Sequence, residues 1–516
     1  MGTSGDTKEW DLEPETEYRF ELDPGTTLAI KLLHGQAEIF GAELGQGVNY
    51  LFGLECKAAV FTWQGCTLQI CYHFSPFSPV IFKINLSIFL NYVTGHPSTE
   101  YVSDETPMNA YMNLHLAFEQ MRARALSKSR NSPTPYEAAG IPEGPPRVLI
   151  LGPENAGKTT ACKTLINYAV RSGQQWAPMF INVDPSDGCF TVPGTISASA
   201  VDTPISTQTP ANPLGFTATS APTALSSSAL LPLVYWYGHS EIRQNPPLLD
   251  RLIRNIGENV LTRQDKDPLE WSSGLIVDTP SSFAAGLPGA STDKKYSLVK
   301  ACVDSFQINV ILVVGHEKLN VEMQRMFGSQ LSVIKLPKSG GVVDLDLSYR
   351  ERVHNYQIHN YMYGQVLKAP SGFIAQSGPA GVGDDISDQY DVRLSPISTV
   401  IKFSDITIYR IGGGAMAPSS ALPIGAQRAV SELQPILVDP EQKGSGLLNS
   451  VLALLAPQNP DDNERYDEEI LDLSVSAFLV VTGLDMNNKK MTVLMPSPGS
   501  IVGRTALMGS FEWIDQ

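Results

Sequence analysis

Gly152-Pro-Glu-Asn-Ala-Gly-Lys158-Thr159-Thr160 is the stretch around which the rest of the chain falls into order. It follows an apolar run, Val148-Leu-Ile-Leu151, and precedes a helix-like segment from Thr160 to Ser172 that stops at Gly173. The pattern is G-x-x-x-x-G-K-[ST] in a strand–loop–helix setting. Glycines there let the backbone turn tightly, so that successive N–H groups point inward at phosphate oxygens. The start of the following helix adds about half a positive charge at the same place. Gly152, Asn155, Ala156, Gly157, Lys158, Thr159 and Thr160 are therefore expected to cradle a nucleoside triphosphate. Lys158 would reach the β- and γ-phosphates, and the Thr159 hydroxyl would hold Mg²⁺.

A chain of 516 residues leaves room for roughly two to four domains around that loop. With 42% hydrophobic and 17% charged residues its composition is that of a globular protein. Net charge is −16, from 37 basic against 53 acidic residues, which argues against a broad nucleic-acid footprint. The six cysteines show no C-x-x-C spacing, pointing to a reducing compartment and no zinc site. The eight histidines form no H-E-x-x-H, and the N-terminus lacks a basic-then-apolar signal pattern. Residues 74–97 are strongly apolar, yet too short for a membrane span and interrupted by Lys83, Asn85 and Asn91. They read as an insertion in a loop or a buried strand pair, and no membrane association is expected.

Residues 10–72 alternate as strands do: Tyr18, Phe20 and Leu22 against Arg19 and Glu21, then Leu28, Ile30 and Leu32. Pro24-Gly25, Gly35 and Gly45-Gln-Gly47 separate short strands, as in a small sandwich or barrel. Residues 108–128 read as a helix with Met112, Leu116, Phe118 and Met121 on one apolar face. Ser127 to Pro146 reads as a linker. The central strand candidates are Val148–Leu151, Met179–Val183, Gly274–Val277, Val310–Val314 and Ser332–Leu336, with helical stretches between, a doubly wound pattern. Asp202 to Ser228 is rich in Pro, Ser and Thr and is expected to be an exposed excursion. The last 145 residues or so return to β, with Val475–Val481 and Lys490–Met495 flanking a hairpin signal at Asn487-Asn488, and Ala506 to Trp513 as a further strand. Gly372–Asp385 and Gly412–Gly425 look loop-like. The expected fold is a multi-domain α/β protein. A central P-loop NTPase domain, kinase-like with a mostly parallel sheet, lies between an N-terminal β-sandwich and a small β-rich α/β C-terminal domain, with boundaries at 1–104, 105–365 and 366–516.

A phosphate loop alone does not separate kinase, ATPase and GTPase. A companion carboxylate is needed, and two strands end on one: Asp184 in Phe180-Ile-Asn-Val-Asp184 and Asp278 in Leu275-Ile-Val-Asp278. Either would stand at the carboxyl end of its strand, where ligands bind in open α/β sheets, unless it merely caps the next turn. A guanine-reading N-K-x-D is missing; Asn487-Asn-Lys-Lys comes nearest and lacks the Asp.

The chain resembles the polynucleotide 5′-hydroxyl-kinase family, in the branch that serves as a subunit of the eukaryotic pre-mRNA cleavage and polyadenylation machinery, and looks like a fungal member. The stretches that carry the resemblance include Ala37-Glu-Ile-Phe-Gly-Ala-Glu-Leu44, Ala59-Val-Phe-Thr-Trp-Gln-Gly-Cys66, Phe190-Thr-Val-Pro-Gly194, Leu336-Pro-Lys-Ser-Gly-Gly-Val-Val343 and Tyr361-Met-Tyr-Gly364. They keep family order over most of the chain. The resemblance implies ATP with Mg²⁺ as the ligand, with Glu17 as the acid that contacts adenine and Lys57 as the matching base. Without it, both would read as solvated charges on strands. It also implies residence in the nucleus. This chain would be a single copy in a hetero-complex, with protein subunits of the cleavage factor docking on its P-loop domain and RNA contacted only indirectly or weakly.

The departures from the family pattern bear on activity. Lys158 and Thr159 are present. The family's Asp-x-x-Gln reads Asp184-Pro-Ser-Asp187 here, and its Thr-x-Gly-Trp clasp reads Thr279-Pro-Ser281-Ser282. Of two lid arginines, the first is Leu345 and the second is Arg350. Phosphoryl transfer depends on positioning and on cations that neutralise the moving charge, so bound ATP without efficient turnover is expected and no catalytic residue is assigned. The alternatives are an active ATP-dependent RNA 5′-hydroxyl kinase and, less favoured, a P-loop ATPase switch.

Overall fold

The strand leading into the glycine loop, Arg147–Leu151, is buried along its whole length in the middle of the central sheet. The computed structural model describes residues 7–73, 97–130, 144–186, 190–215, 230–286, 295–365, 392–411, 433–442, 444–457 and 467–514. Parallel to the loop strand run Leu275–Asp278 on one side and Val310–Val314 on the other, then Met179–Asn182 and Ser332–Leu336 further out. These are the strands expected from the apolar runs, with ends shifted by a residue. Thr195–Ala200 and Leu233–Trp236 extend the sheet antiparallel beyond Met179–Asn182. Neither was foreseen. Thr195, Ser197 and Ser199 are all buried, so Thr-Ile-Ser-Ala-Ser-Ala carries no apolar period for the eye to find.

Residues of the N-terminal part form a sandwich of a four-stranded and a five-stranded sheet. Tyr18, Phe20, Leu28, Ile30, Phe52, Val60 and Leu68 fill the space between them. The helix Met108–Ser129 leaves this unit and lies on the P-loop helix, Lys158–Arg171. Its buried face is Tyr111, Leu114, Phe118, Met121 and Ala125. That corrects the expected stripe, since Leu116 is exposed and Met112 only half-buried. Phe118 and Met121 are buried as expected, and Tyr111, Leu114 and Ala125 complete the face at the 3.6-residue period.

The C-terminal part is a seven-stranded sheet in the order Ile397–Lys402, Lys490–Met495, Val475–Asp485, Ser450–Leu455, Arg504–Glu512, Ile406–Arg410, Ile436–Leu437. Its helical segments among the described residues are 3₁₀ turns at Phe403–Asp405 and Asp467–Asp472. The Asn487-Asn488 hairpin forms as expected, with Asp485 accepting from both backbone amides. The unit docks on the central domain where main chains nearly touch: Ser510 N donates to Gly238 O at 2.7 Å, and the Trp236 ring lies 5.4 Å from Phe478 and 6.0 Å from Phe511.

The Asp202–Ser228 excursion is exposed only in part where it is described: Asp202, Pro204 and Ser206 are exposed, but others turn inward. Ile205, Gln208, Thr209, Ala211 and Leu214 are all buried. Asn167 of the P-loop helix makes this possible by serving the backbone of Ile205 at both ends, accepting from its N–H at 2.7 Å and donating to its carbonyl at 3.1 Å. Lys163 donates to Thr207 at 2.7 Å. A loop whose polar groups are met by side chains can be buried at little cost, and composition gives no sign of that. The expectations for 74–97, for most of the Ser127–Pro146 linker, for Gly372–Asp385 and for Gly412–Gly425 fall wholly or mostly on residues 74–96, 131–143, 366–391 and 412–432, outside the described residues, as does Asp187.

Candidate nucleotide site and its family

A cavity of about 330 Å³ opens between the N-terminal sandwich and the glycine loop. Asn155, Ala156, Gly157, Lys158, Thr159 and Thr160 form its floor. Gly157 takes φ +85°, and Asn155 takes φ +51°, so the chain passes through two left-handed residues within the loop. Gly157 is also the N-cap of the helix and offers no side chain to it, so the first-turn amides are left to a ligand. Gly152 does not line the cavity; it starts the loop where a Cβ would come within 3.1 Å of the Val314 carbonyl. Lys158 is buried and donates to the Pro153 carbonyl at 3.2 Å, curled back over its own loop.

The two candidate carboxylates take different parts. Asp278 accepts the Thr159 hydroxyl at 2.5 Å and the Thr279 amide at 3.0 Å. It is the acid placed beside the hydroxyl expected to hold Mg²⁺. Asp184 lines the cavity, but one of its oxygens accepts from both the amide (2.9 Å) and the hydroxyl (2.5 Å) of Ser186. That is the turn-capping role weighed for it from the sequence. Thr279, all that remains of the clasp motif, is fully buried and donates its hydroxyl to the Ile150 carbonyl of the loop strand at 2.6 Å. It ties its strand end to the loop strand.

The sandwich supplies the other wall through Glu17, Lys57 and Tyr101. Glu17 is not a solvated strand charge: its side chain is 6% exposed, paired with Arg19 and in reach of the Thr106 hydroxyl at 3.3 Å. Burial raises its pKa from the usual carboxylate value against the pull of Arg19. Lys57 pairs with Glu21 at 2.7 Å and stands 5.4 Å from the Tyr349 ring centre. Arg19 also lines the cavity and was not singled out from the sequence. The signal was there, since Glu17 and Arg19 lie two apart on one strand and so share a face.

The lid closes from above. Leu345 lines the cavity with an apolar side chain where the family pattern has a cation. Arg350 reaches the tip of the glycine loop, donating to Asn155 Oδ1 at 2.9 Å and pairing with Glu154 at 2.8 Å. Gly341 passes so near Arg19 that a Cβ would sit 2.6 Å from its Nε. The donor set fits a magnesium-bound triphosphate: a free helix start, a lysine, a hydroxyl backed by a buried carboxylate, and one arginine. Among the described residues no group of three or more His, Cys, Asp and Glu could hold a metal by itself.

Three segments of this architecture match family models. Residues 11–125 match the N-terminal beta-sandwich domain of polyadenylation factor, 152–364 the P-loop of mRNA cleavage and polyadenylation factor CLP1, and 394–515 the pre-mRNA cleavage complex II protein Clp1. The chain is 62% identical over 515 residues to the mRNA cleavage and polyadenylation factor CLP1 of Laccaria bicolor, covering 99% of each. The chain belongs to the CLP1 family. Other members include the factor of Mycosarcoma maydis, 33% identical over 98% of both chains, and the CLP1 homolog of Arabidopsis thaliana, 30% identical over 99% of this chain and 95% of that one. Two solved structures share the CLP1 fold at 22% identity: wild-type Clp1p in complex with Pcf11p (TM-score 0.73, all of both chains) and another with an extended Pcf11p–Clp1p interface (TM-score 0.75, 99% and 100%).

Proposed function

We propose that this chain is a non-catalytic, ATP-binding scaffold subunit of the nuclear complex that cleaves and polyadenylates pre-mRNA 3′ ends. Relatives are named for that process, and two solved ones are Clp1p with Pcf11p; a partner of that kind would dock on the P-loop domain. One observation carries the non-catalytic part. The donor half of the cavity is built, while Leu345 fills the place of a cation and the Thr279 hydroxyl is engaged by the sheet. ATP would supply the bridge between sandwich and P-loop domain. Lys158 and Arg350 would balance its phosphates, Thr159 and Asp278 would orient Mg²⁺, and Glu17 and Lys57 would meet the base. A ligand that binds only the folded form stabilises it by mass action.

The test is an incubation of purified protein with γ-labelled ATP and a 5′-hydroxyl oligoribonucleotide. The expected result is intact ATP retained on the protein and no label on RNA. Transfer at kinase-like rates, roughly 1–100 per second, would replace the scaffold by the RNA-kinase reading, and release of free phosphate would favour an ATPase switch. A second expectation concerns the metal. Asp278→Asn removes the charge beside Thr159, so half-maximal ATP retention should need about tenfold more Mg²⁺, or ~1.4 kcal/mol. An unchanged magnesium titration would assign the ion to Asp184 instead.

A further inference from the structure

The lid helix, Leu347–Tyr363, is held by core packing only from Val353 onward. Its buried residues are Val353, Gln357, Ile358, Tyr361 and Met362. The first turn and a half, which carries Arg350 to the glycine loop, buries none, and Leu347 is 78% exposed. A segment with so few buried contacts opens readily unless something else holds it.

Besides the contacts of Arg350 with Asn155 and Glu154 and of Lys57 with Tyr349, Glu55 of the sandwich holds it. This residue is 3% exposed and sits in a tight turn where Leu54 and Glu55 both have positive φ, +50° and +63°. Side chains seldom occupy that region, and glycine would do so without strain. Here the conformation aims a carboxylate at the lid helix. Its oxygens accept from Arg352 Nε and Nη2, both at 2.8 Å, and from the Tyr356 hydroxyl at 2.9 Å. The Glu55 carbonyl accepts from Tyr349 at 3.4 Å. The bond to Glu55 raises the Arg352 pKa. Arg352 and Tyr356 are four residues apart and share one face of the helix. Arg350, two residues before Arg352, lies about 200° around it, on the face turned to the loop. A two-pronged grip on one face sets the roll of the helix and so the aim of the other.

We infer that Glu55 is a positioning residue of the nucleotide site: gripping Arg352 and Tyr356, it keeps Arg350 on the glycine loop and slows escape of the triphosphate. This rests on the ATP reading given above. The full-length protein, loaded with radiolabelled ATP and Mg²⁺, is chased with unlabelled ATP. Glu55→Gln should release label about tenfold faster than the unaltered protein. Glu55→Gly should do the same although it relieves the turn, which separates the grip from any folding defect. Because Glu55 acts through Arg350, Glu55→Gln combined with Arg350→Gln should release no faster than Arg350→Gln alone. Unchanged release, or effects that multiply in the double variant, would overturn the inference. Should the unaltered protein retain no label, the ATP reading fails, and hydrogen exchange on the nucleotide-free protein decides the inference by itself. Faster exchange of amides 347–357 in Glu55→Gln then supports the grip, and identical exchange refutes it.

Discussion

Lys158→Ala is expected to weaken ATP binding about 100-fold, or ~2.7 kcal/mol, in the range of a lost charge-assisted contact in a partly dehydrated site. The side chain does little else. It donates to the Pro153 carbonyl, and its helix is anchored by Ala161, Cys162, Leu165 and Ile166 in the core. The nucleotide-free variant should therefore melt like the nucleotide-free original. The contrast comes with ligand. At ATP one hundred times its dissociation constant, the unaltered protein gains about 2.7 kcal/mol of stability by mass action, whereas the variant at the same concentration gains about 0.4. Thermal melts with and without ATP measure both numbers, and pull-down of a cleavage-factor partner should fall in parallel with the second. Equal ATP-induced shifts in the two proteins would mean that the loop does not carry the nucleotide.

Gly509→Ala should cost the protein about 3 kcal/mol, from overpacking plus a lost hydrogen bond. Gly509 lies where the C-terminal sheet meets the central domain, and a Cβ there would stand 2.1 Å from the Gly238 carbonyl oxygen and 2.5 Å from its Cα. Both are backbone atoms. No rotamer change relieves the clash, so the strand must move out. That motion breaks the bond from Ser510 N to Gly238 O and separates Trp236 from Phe511. Gly238 cannot retreat easily, since it is itself at φ +81° and donates to the Gly194 carbonyl at 2.9 Å. Limited proteolysis should therefore free the C-terminal domain from the variant first, at a denaturant concentration where the central domain still resists. Gly499→Ala is the matched control: nothing stands within 4 Å of its Cβ position and its φ is not in the left-handed region, so a change within about 0.5 kcal/mol is expected. If the two variants unfold alike, the domain contact does not limit stability.

The sites of these two substitutions differ in how far a reader of the chain could have foreseen them. Lys158 is announced by its neighbours, because a phosphate loop is a local device in which residue spacing and backbone geometry are nearly the same thing. Gly509 is announced by nothing, since its partner lies 271 positions away in sequence. The same division runs through the site. The glycine loop, both strand-end carboxylates and the five parallel strands could be read from apolar runs and turn residues. The choice of Asp278 beside Thr159, with Asp184 drawn off by Ser186, could not. Both acids end apolar strands, and only the sheet order, which places Leu275–Asp278 next to the loop strand, tells them apart.

Glu55 makes the same point more sharply. In Gly53-Leu-Glu-Cys56 it reads as one charge in a turn between strands, and its three partners on the lid helix arrive from almost 300 residues downstream. The burial of Ile205, Gln208, Thr209 and Leu214 is likewise invisible in a Pro- and Thr-rich string, because Asn167 supplies hydrogen bonds to the Ile205 backbone from another element. Local chain chemistry thus settled that this protein has a P-loop on a parallel sheet between two β units, since periodicity, turn residues and loop spacing act over a few residues. Which acid stands beside Thr159, what holds the lid and where the domains touch depended on packing across the whole chain. Those contacts join residues whose separation in sequence carries no information about their distance in space.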